Sequence, residues 1–297
     1  MAQPEQEQPL KVDLNGRIVA QEDACVSVFD RGFLYGDGVF ETLRVYNGKV
    51  FRLQGHWERL QRSAMLIRLE IPFSGIEYQE RLDRVIEVNR LKEAVARVTV
   101  SRGIGPGSFT LHYEQQPTSV FTAKPFRSYP KRYYENGVTA VFATTRRMNA
   151  GALNPAAKSA NYLNSVLSKA EADDAGAFDA IMLNDDGFVT EGSVTNLFVV
   201  REARLLTPWL ESGVLPGITR ATVLQLAQTV GLESSESALE AGDVLTGDEV
   251  FLTNTTVEVM PVTRIGARMV GGGRPGRFTR ALHRAYRELV ERECGVP

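Results

Sequence analysis

Hydrophobic positions along this chain change period repeatedly, from alternation at every second residue to recurrence at every third and fourth. KVDLNGRIV at 11–19 and VFETLRVYNGKVFRL at 39–53 alternate around Asn15-Gly16 and Asn47-Gly48. Both dipeptides suit the positive φ angles of a two-residue hairpin turn. Trp57, Leu60, Ala64 and Ile67 then fall at helical spacing, and a second helix is predicted from Ile76 to Asn89, ahead of the strand-like ARVTVS at 96–101. The N-terminal part therefore reads as α+β.

KPFRSYPKRYY at 124–134 is polar and contains proline, and it separates two β-rich regions as an interdomain linker does. A small domain over 1–123 and a larger one over 135–297 are expected. In the second, GVTAVFATT at 137–145 predicts a strand, and a helix is predicted from Asn161 to Asp174 with Leu163, Val166 and Leu167 as its apolar face. The strands DAIMLN and SVTNLFVV are expected around an Asp186-Gly187 turn. A helix beginning at ITRATVLQLAQTV, strands EVFLTN and VEVMPV, and a helix from Arg277 to Glu293 follow, with GGGRPG at 271–276 read as a flexible turn.

Composition narrows the function. With 297 residues, 43% hydrophobic and 24% charged, the chain suits a soluble globular protein. Its 34 basic residues nearly balance 36 acidic ones, so no basic field points to nucleic acid or an anionic membrane. No apolar run approaches the ~20 residues that span a bilayer. The opening MAQPEQEQPL is polar and acidic rather than a basic patch followed by an apolar stretch. The two cysteines, Cys25 and Cys294, lie at opposite ends of the chain, and no second thiol near either one suggests a disulfide framework or a thiolate metal site. These features predict a cytoplasmic protein that acts on small molecules.

His56, His112 and His283 are scattered, with no carboxylate or thiol at ligand spacing, so no metal is expected. Nucleophile-elbow, phosphate-loop and dinucleotide patterns are absent from the sequence. Groups suited to an anionic phosphate remain. LPGITR at 215–220 puts Pro216-Gly217 before a predicted helix, which would aim the Ile218 and Thr219 amides and the Thr219 hydroxyl outward; a simple turn before a capped helix has the same pattern. TNTT at 253–256 ends a strand and could add donors, or be a threonine-rich strand end. Arg59 fits a phosphate ligand or a solvated helix residue. Lys158, in NPAAKSANYLNS, follows a proline turn and precedes the predicted apolar helix face. A desolvated lysine there could stay a free amine and form an imine, which arginine cannot do; a solvated lysine at a helix start fits the same letters.

Six segments taken in order resemble the class IV (fold type IV) aminotransferase family, which includes branched-chain and D-amino-acid aminotransferases and aminodeoxychorismate lyase. They are DRGFLYGDGVFETLRVY at 30–46, HWERLQRSA at 56–64, AKSANYLNSVLSKAEA at 157–172, EGSVTNLF at 191–198, LPGITR at 215–220 and TNTTVEVMPV at 253–262. The resemblance implies a two-domain α+β enzyme with a small N-terminal α+β domain and a larger β-barrel-like α/β domain. It implies pyridoxal 5'-phosphate held by Lys158 as a Schiff base, and a ping-pong exchange of an amino group, through aldimine and ketimine forms, between an amino acid and a 2-oxo acid. It also implies a homodimer.

By the same resemblance Arg59, Ile218, Thr219 and Thr255 would hold the phosphate, Glu191 the ring nitrogen and Tyr162 the ring hydroxyl. Phe40, Arg44, Arg97 and Thr256 are the candidates for touching substrate. The substrate-reading positions depart from each subfamily. Val95-Ala96-Arg97 keeps the arginine but not the tyrosine of the branched-chain Tyr-x-Arg pattern. Gly107-Ser108-Phe109 and Phe40 stand where the D-amino-acid type has Arg-x-His and tyrosine. SRGIGPG at 101–107 and EVMPV at 258–262 resemble the lyase, whereas TNTT is closer to the aminotransferases. Transamination is the preferred expectation and pyruvate elimination from aminodeoxychorismate the alternative.

Overall fold

A computed structural model describes residues 9–296, so most of the polar opening stretch lies outside the described residues. The chain divides into two compact units, Met1–Phe126 and Arg127–Pro297.

The first unit contains β1 (Lys11–Leu14), β2 (Arg17–Ala20), α1 (Arg31–Tyr35), β3 (Gly38–Tyr46), β4 (Lys49–Val50), α2 (Leu53–Leu66), α3 (Gly75–Val88), β5 (Ala94–Ser101) and β6 (Thr118–Pro125). The strands form an antiparallel sheet in the order β2-β1-β6-β5-β3-β4. Its two tight hairpins turn where expected: Asn15, Gly16, Asn47 and Gly48 all have positive φ. Alternation gives the sheet two unlike faces. Val39, Leu43, Val98 and Phe121 pack with Leu60 and Leu82 of α2 and α3 in one core. Phe40, Thr42, Arg44, Arg97 and Thr99 share the opposite face, where Phe40 pairs across the strands with Thr99, and Thr42 with Arg97.

The second unit contains α4 (Lys131–Asn136), β7 (Val138–Phe142), α5 (Leu163–Asp174), β8 (Asp179–Leu183), β9 (Val189–Gly192), β10 (Asn196–Arg201), β11 (Arg204–Pro208), α6 (Ile218–Ala227), β12 (Glu233–Ser237), α7 (Ala241–Leu245), β13 (Glu249–Asn254), β14 (Glu258–Ile265), β15 (Arg268–Met269) and α8 (Arg277–Cys294). The mixed sheet runs β12-β11-β10-β13-β14-β7-β8-β9, with β15 on β14. Its ends approach each other: β9 packs on β10 and β11, and the Val189 amide donates to the Leu239 carbonyl just beyond β12 at 2.7 Å. This curl makes a half-barrel around Ile181, Val189, Leu197, Val199, Leu252 and Met260.

Several expectations change. Lys124 and Pro125 finish strand β6, and Lys131–Tyr134 begin helix α4, whose tyrosines pack on the second core, so the connecting segment is shorter than 124–134. Helix α5 faces the other way from its predicted orientation. It buries Ser165, Ser168 and Ala172 and leaves Leu163, Val166 and Leu167 68%, 56% and 52% exposed. The Asp186-Gly187 turn joins β8 to β9, and β10 starts only after a bend at 193–195. The GGGRPG run forms a turn whose last residue is closely packed: a Cβ on Gly276 would lie 1.8 Å from the Glu249 carboxyl carbon. That carboxylate accepts from the Phe278 and Thr279 amides and caps α8.

Candidate active site

Strand β9 places Glu191 inside the half-barrel unit, buried on both strand faces along with its neighbours. Its Oε1 is 2.8 Å from Arg147 Nη2, while Oε2 accepts from the Leu215 amide at 3.0 Å and from Asn196 Nδ2 at 3.2 Å. Burial pushes the Glu191 carboxyl up; Arg147, the Leu215 amide and Lys158 pull it down without cancelling the burial, so its pKa stays above the ordinary 4.5. Lys158 is therefore close enough for its charge to reach Glu191. Arg147 has no motif to mark it in the sequence. It is fixed by donating from Nε to the Gly213 carbonyl at 3.0 Å.

The segment carrying Arg147 is clamped to α5. Glu171 accepts from the amides of Thr144 and Thr145, and Asn164 bonds both the Met148 amide and the Arg146 carbonyl. The bend after Glu191 is fixed by buried Asp179, which accepts from the Ser193 amide and the Thr195 hydroxyl. Any Cβ at Gly192 would lie 2.2 Å from Thr195 Oγ1 and 2.5 Å from the Asp179 carboxylate, so the small residue after Glu191 is a steric requirement.

Lys158 is half-buried in the loop before α5, between buried Ala157 and Ser159. Its Nζ lies 3.4 Å from the hydroxyl of Tyr162, the residue at the N-cap of α5. Gly217 is the N-cap of α6 and has no side chain of its own to cap the helix amides; Ile218 and Thr219 form the first turn. A Cβ on Gly217 would sit 1.9 Å from Asn196 Oδ1. Glycine thus lets this helix end approach β10.

The Thr253–Thr256 run continues from the same place, since Thr253 pairs with Asn196 across β13 and β10. Asn254 shapes the turn beyond: its Oδ1 accepts from the Thr256 amide and hydroxyl and the Val257 amide, and its Nδ2 donates to the Val194 carbonyl. Within the second unit short contacts thus link Lys158 to Tyr162, and, through Asn196, Glu191 to the α6 N-terminus and to the strand that leads into the Thr255–Thr256 turn.

The other candidates belong to the first unit. Arg59 is buried on α2 in a two-pronged pair with Glu41, Nε to Oε1 and Nη2 to Oε2 both at 2.7 Å; Nδ1 of His56 is also 2.7 Å from Oε2. Burial raises the Glu41 carboxyl, yet Arg59 and His56 overcome this and hold its pKa at about 2. Arg97 is exposed, lies 3.8 Å over the Phe40 ring and donates to Thr99 Oγ1.

Arg44 departs from its expected role. It is buried, pairs with Glu93, donates to the carbonyls of Val45 and Ala94, and is stacked between Tyr46 and Phe126 at 4.2 and 3.8 Å. Neighbouring carbonyls and rings use the guanidinium as a structural tie, so it is a poor receptor for a substrate carboxylate.

The class IV amino-transferase family model matches residues 38–265. This chain belongs to the class IV aminotransferases. A Methanocaldococcus jannaschii protein provisionally named branched-chain-amino-acid aminotransferase is 40% identical over 94% of this chain and 96% of its own length. The D-alanine aminotransferase of Bacillus licheniformis is 36% identical, covering 95% and 97%; the aminodeoxychorismate lyase of Bacillus subtilis is 34% identical, covering 94% of each. The branched-chain amino acid aminotransferase structure from Escherichia coli superposes with a TM-score of 0.91 at 32% identity, over 95% of each chain. Another such enzyme, from Thermobaculum terrenum and solved with its pyridoxal phosphate in place, gives 0.87 at 30% identity, over 98% of each chain.

The fold is thus fold type IV and the enzyme a pyridoxal 5'-phosphate-dependent aminotransferase. The residues fit that cofactor: an imine-forming amine, a buried carboxylate and a glycine-capped helix end cover its aldehyde, ring nitrogen and phosphate in chemical type.

Proposed function

We propose that this aminotransferase moves an amino group between a branched-chain or D-amino acid and a 2-oxo acid, with Lys158 carrying the cofactor and the proton. The observation that supports this reading best is the pairing of Lys158 with Tyr162, in reach of the charge on buried Glu191. Glu191, braced by Arg147, would hold a proton on the ring nitrogen, whose positive charge offsets the cost of burying the carboxylate. The Ile218 and Thr219 amides and Thr255 would bind the phosphate, and Tyr162 the ring hydroxyl; for Arg59 a phosphate role rests on the likeness of its motif alone.

When bound, pyridoxal 5'-phosphate provides the electron sink for the pair left as the substrate's α proton departs. Lys158 Nζ, once displaced by the incoming amine, would take that proton and return it as a positioned base and then acid. Arg97, flanked by Phe40, would hold a substrate carboxylate.

The decisive experiment adds single L- and D-amino acids to the yellow purified enzyme. Conversion of the visible band to that of pyridoxamine 5'-phosphate, reversed by a 2-oxo acid, supports transamination. No conversion across a broad panel, together with pyruvate released from aminodeoxychorismate, would replace it with the lyase reaction.

We also propose that the enzyme works as a homodimer in the cytoplasm. Phe29, Phe33 and Phe109 are 68%, 74% and 80% exposed, which suits a surface that is covered in an assembly, and neither Cys25 nor Cys294 is in a disulfide. Light scattering at micromolar protein should give twice the chain mass; a monomer would remove the dimer.

A further inference from the structure

The turn assigned to the phosphate is closed in an uncommon way. Strands β13 and β14 last pair at Asn254 and Glu258, leaving Thr255, Thr256 and Val257 as a three-residue loop. Such loops often end on a left-handed residue, where glycine is least strained. Here that conformation, φ +57°, falls on Glu258.

A glycine would relieve the backbone, but only the glutamate side chain reaches α8. It is buried, its Oε2 lies 2.9 Å from His283 Nε2, and its Oε1 accepts from Arg287 Nη1 at 2.9 Å. The two partners stand one helical turn apart and so meet the same carboxylate. His283 stacks on Tyr134 of α4, with ring centroids 4.8 Å apart and planes 10° from parallel. The Tyr134 hydroxyl donates to the Val257 carbonyl at 3.3 Å. Both helices thus hold the turn from behind, and Asn254 holds it from within.

We propose that Glu258, gripped by His283 and Arg287, is a positioning residue that keeps the Thr255–Thr256 turn in the shape that receives the cofactor phosphate. The C-terminal helix thereby sets phosphate affinity without touching the cofactor. This rests on the reading of Thr255 as a phosphate contact.

The test compares retention of pyridoxal 5'-phosphate and of pyridoxal, which lacks the phosphate, by dialysis of the full-length enzyme loaded with each. Glu258→Gly removes the grip while easing the backbone. It should weaken pyridoxal 5'-phosphate on the order of tenfold and leave pyridoxal unchanged, with a broadened ³¹P resonance for the bound phosphate. A His283→Phe/Arg287→Met double variant, which keeps Glu258, should move both readouts the same way.

Equal loss of both ligands, or no loss of either, overturns the proposal. A Thr255→Val variant separates the layers. If it weakens pyridoxal 5'-phosphate and Glu258→Gly does not, only this inference fails. If Thr255→Val has no effect, the phosphate reading of the turn falls and takes the inference with it.

Discussion

Arg147 Nη2 lies 2.8 Å from Glu191 Oε1, and the same guanidinium is tied to the Gly213 carbonyl, so a charge from the loop after β7 braces a carboxylate on β9. Removing one member of such a buried pair leaves the other charge uncompensated.

Arg147→Ala should therefore destabilise the cofactor-free protein by ~3 kcal/mol in denaturant unfolding. Adding Glu191→Gln should restore part of that loss. The pH dependence has a definite sign. Because the folded-state pKa of Glu191 is raised, its contribution favours the fold at low pH and is withdrawn as pH rises and the buried carboxyl ionises. Cofactor-free Glu191→Gln should accordingly gain on the wild type as pH is raised above 4.5. A parallel pH profile for the two proteins would count against this placement of Glu191.

Lys158→Ala should abolish covalent capture of the cofactor by borohydride while leaving the fold intact. Mass spectrometry of the reduced protein reads this directly. Label persisting on the variant would refute Lys158 as the attachment point.

Glu41 provides an acid-limb prediction. Its folded-state pKa of about 2, against 4.5 ordinarily, gives stability that is complete above 4.5 and is lost as pH falls towards 2. The difference corresponds to ~3 kcal/mol at neutral pH. Glu41→Gln should flatten the acid limb of an unfolding titration over that window. An unchanged limb would mean that the Arg59–His56 cluster does not hold the carboxylate ionised.

Two arginines on one sheet face should respond differently. Arg97→Ala should raise KM for the amino and 2-oxo acids on the order of 10- to 100-fold with little change in Tm, the loss expected for a charged hydrogen bond. Arg44→Ala should lower Tm with little change in KM, because its partners are Glu93, two carbonyls and two rings. Reversal of this contrast would exchange their roles.

The contrast between the two arginines also marks how far sequence patterns reach. Strand alternation puts Arg44 and Arg97 on one face, but only the folded neighbours show that Glu93 and Phe126 occupy one of them. The Asn-Gly hairpins are legible because few residues tolerate their φ values. The α2 helix is legible because its apolar stripe is the face that packs. In α5 the same logic chooses the wrong face, since periodicity groups Leu163, Val166 and Leu167 without saying whether the group points inward.

The ordered motifs draw attention to Lys158 and Glu191, but Arg147, which pairs with Glu191, lies outside them, and Asn196, the other side-chain partner of Glu191, is only one letter of EGSVTNLF. Arg147 sits in a loop, and Asn196 reads only as part of a strand. Glu41 is hidden similarly, as a charge alternating into the apolar side of β3 beside Arg59.

Asn196 gives one chemical decision two addresses. Its side-chain amide bonds the Glu191 carboxylate and the Leu215 carbonyl, its oxygen is the atom that a Gly217 side chain would strike, and its backbone pairs with Thr253. The carboxylate end and the helix-and-turn end of the site thus share one small rigid node. Substitutions at the two ends should fail to add in a double-mutant cycle, because strain admitted at either end is felt at the other through a single amide.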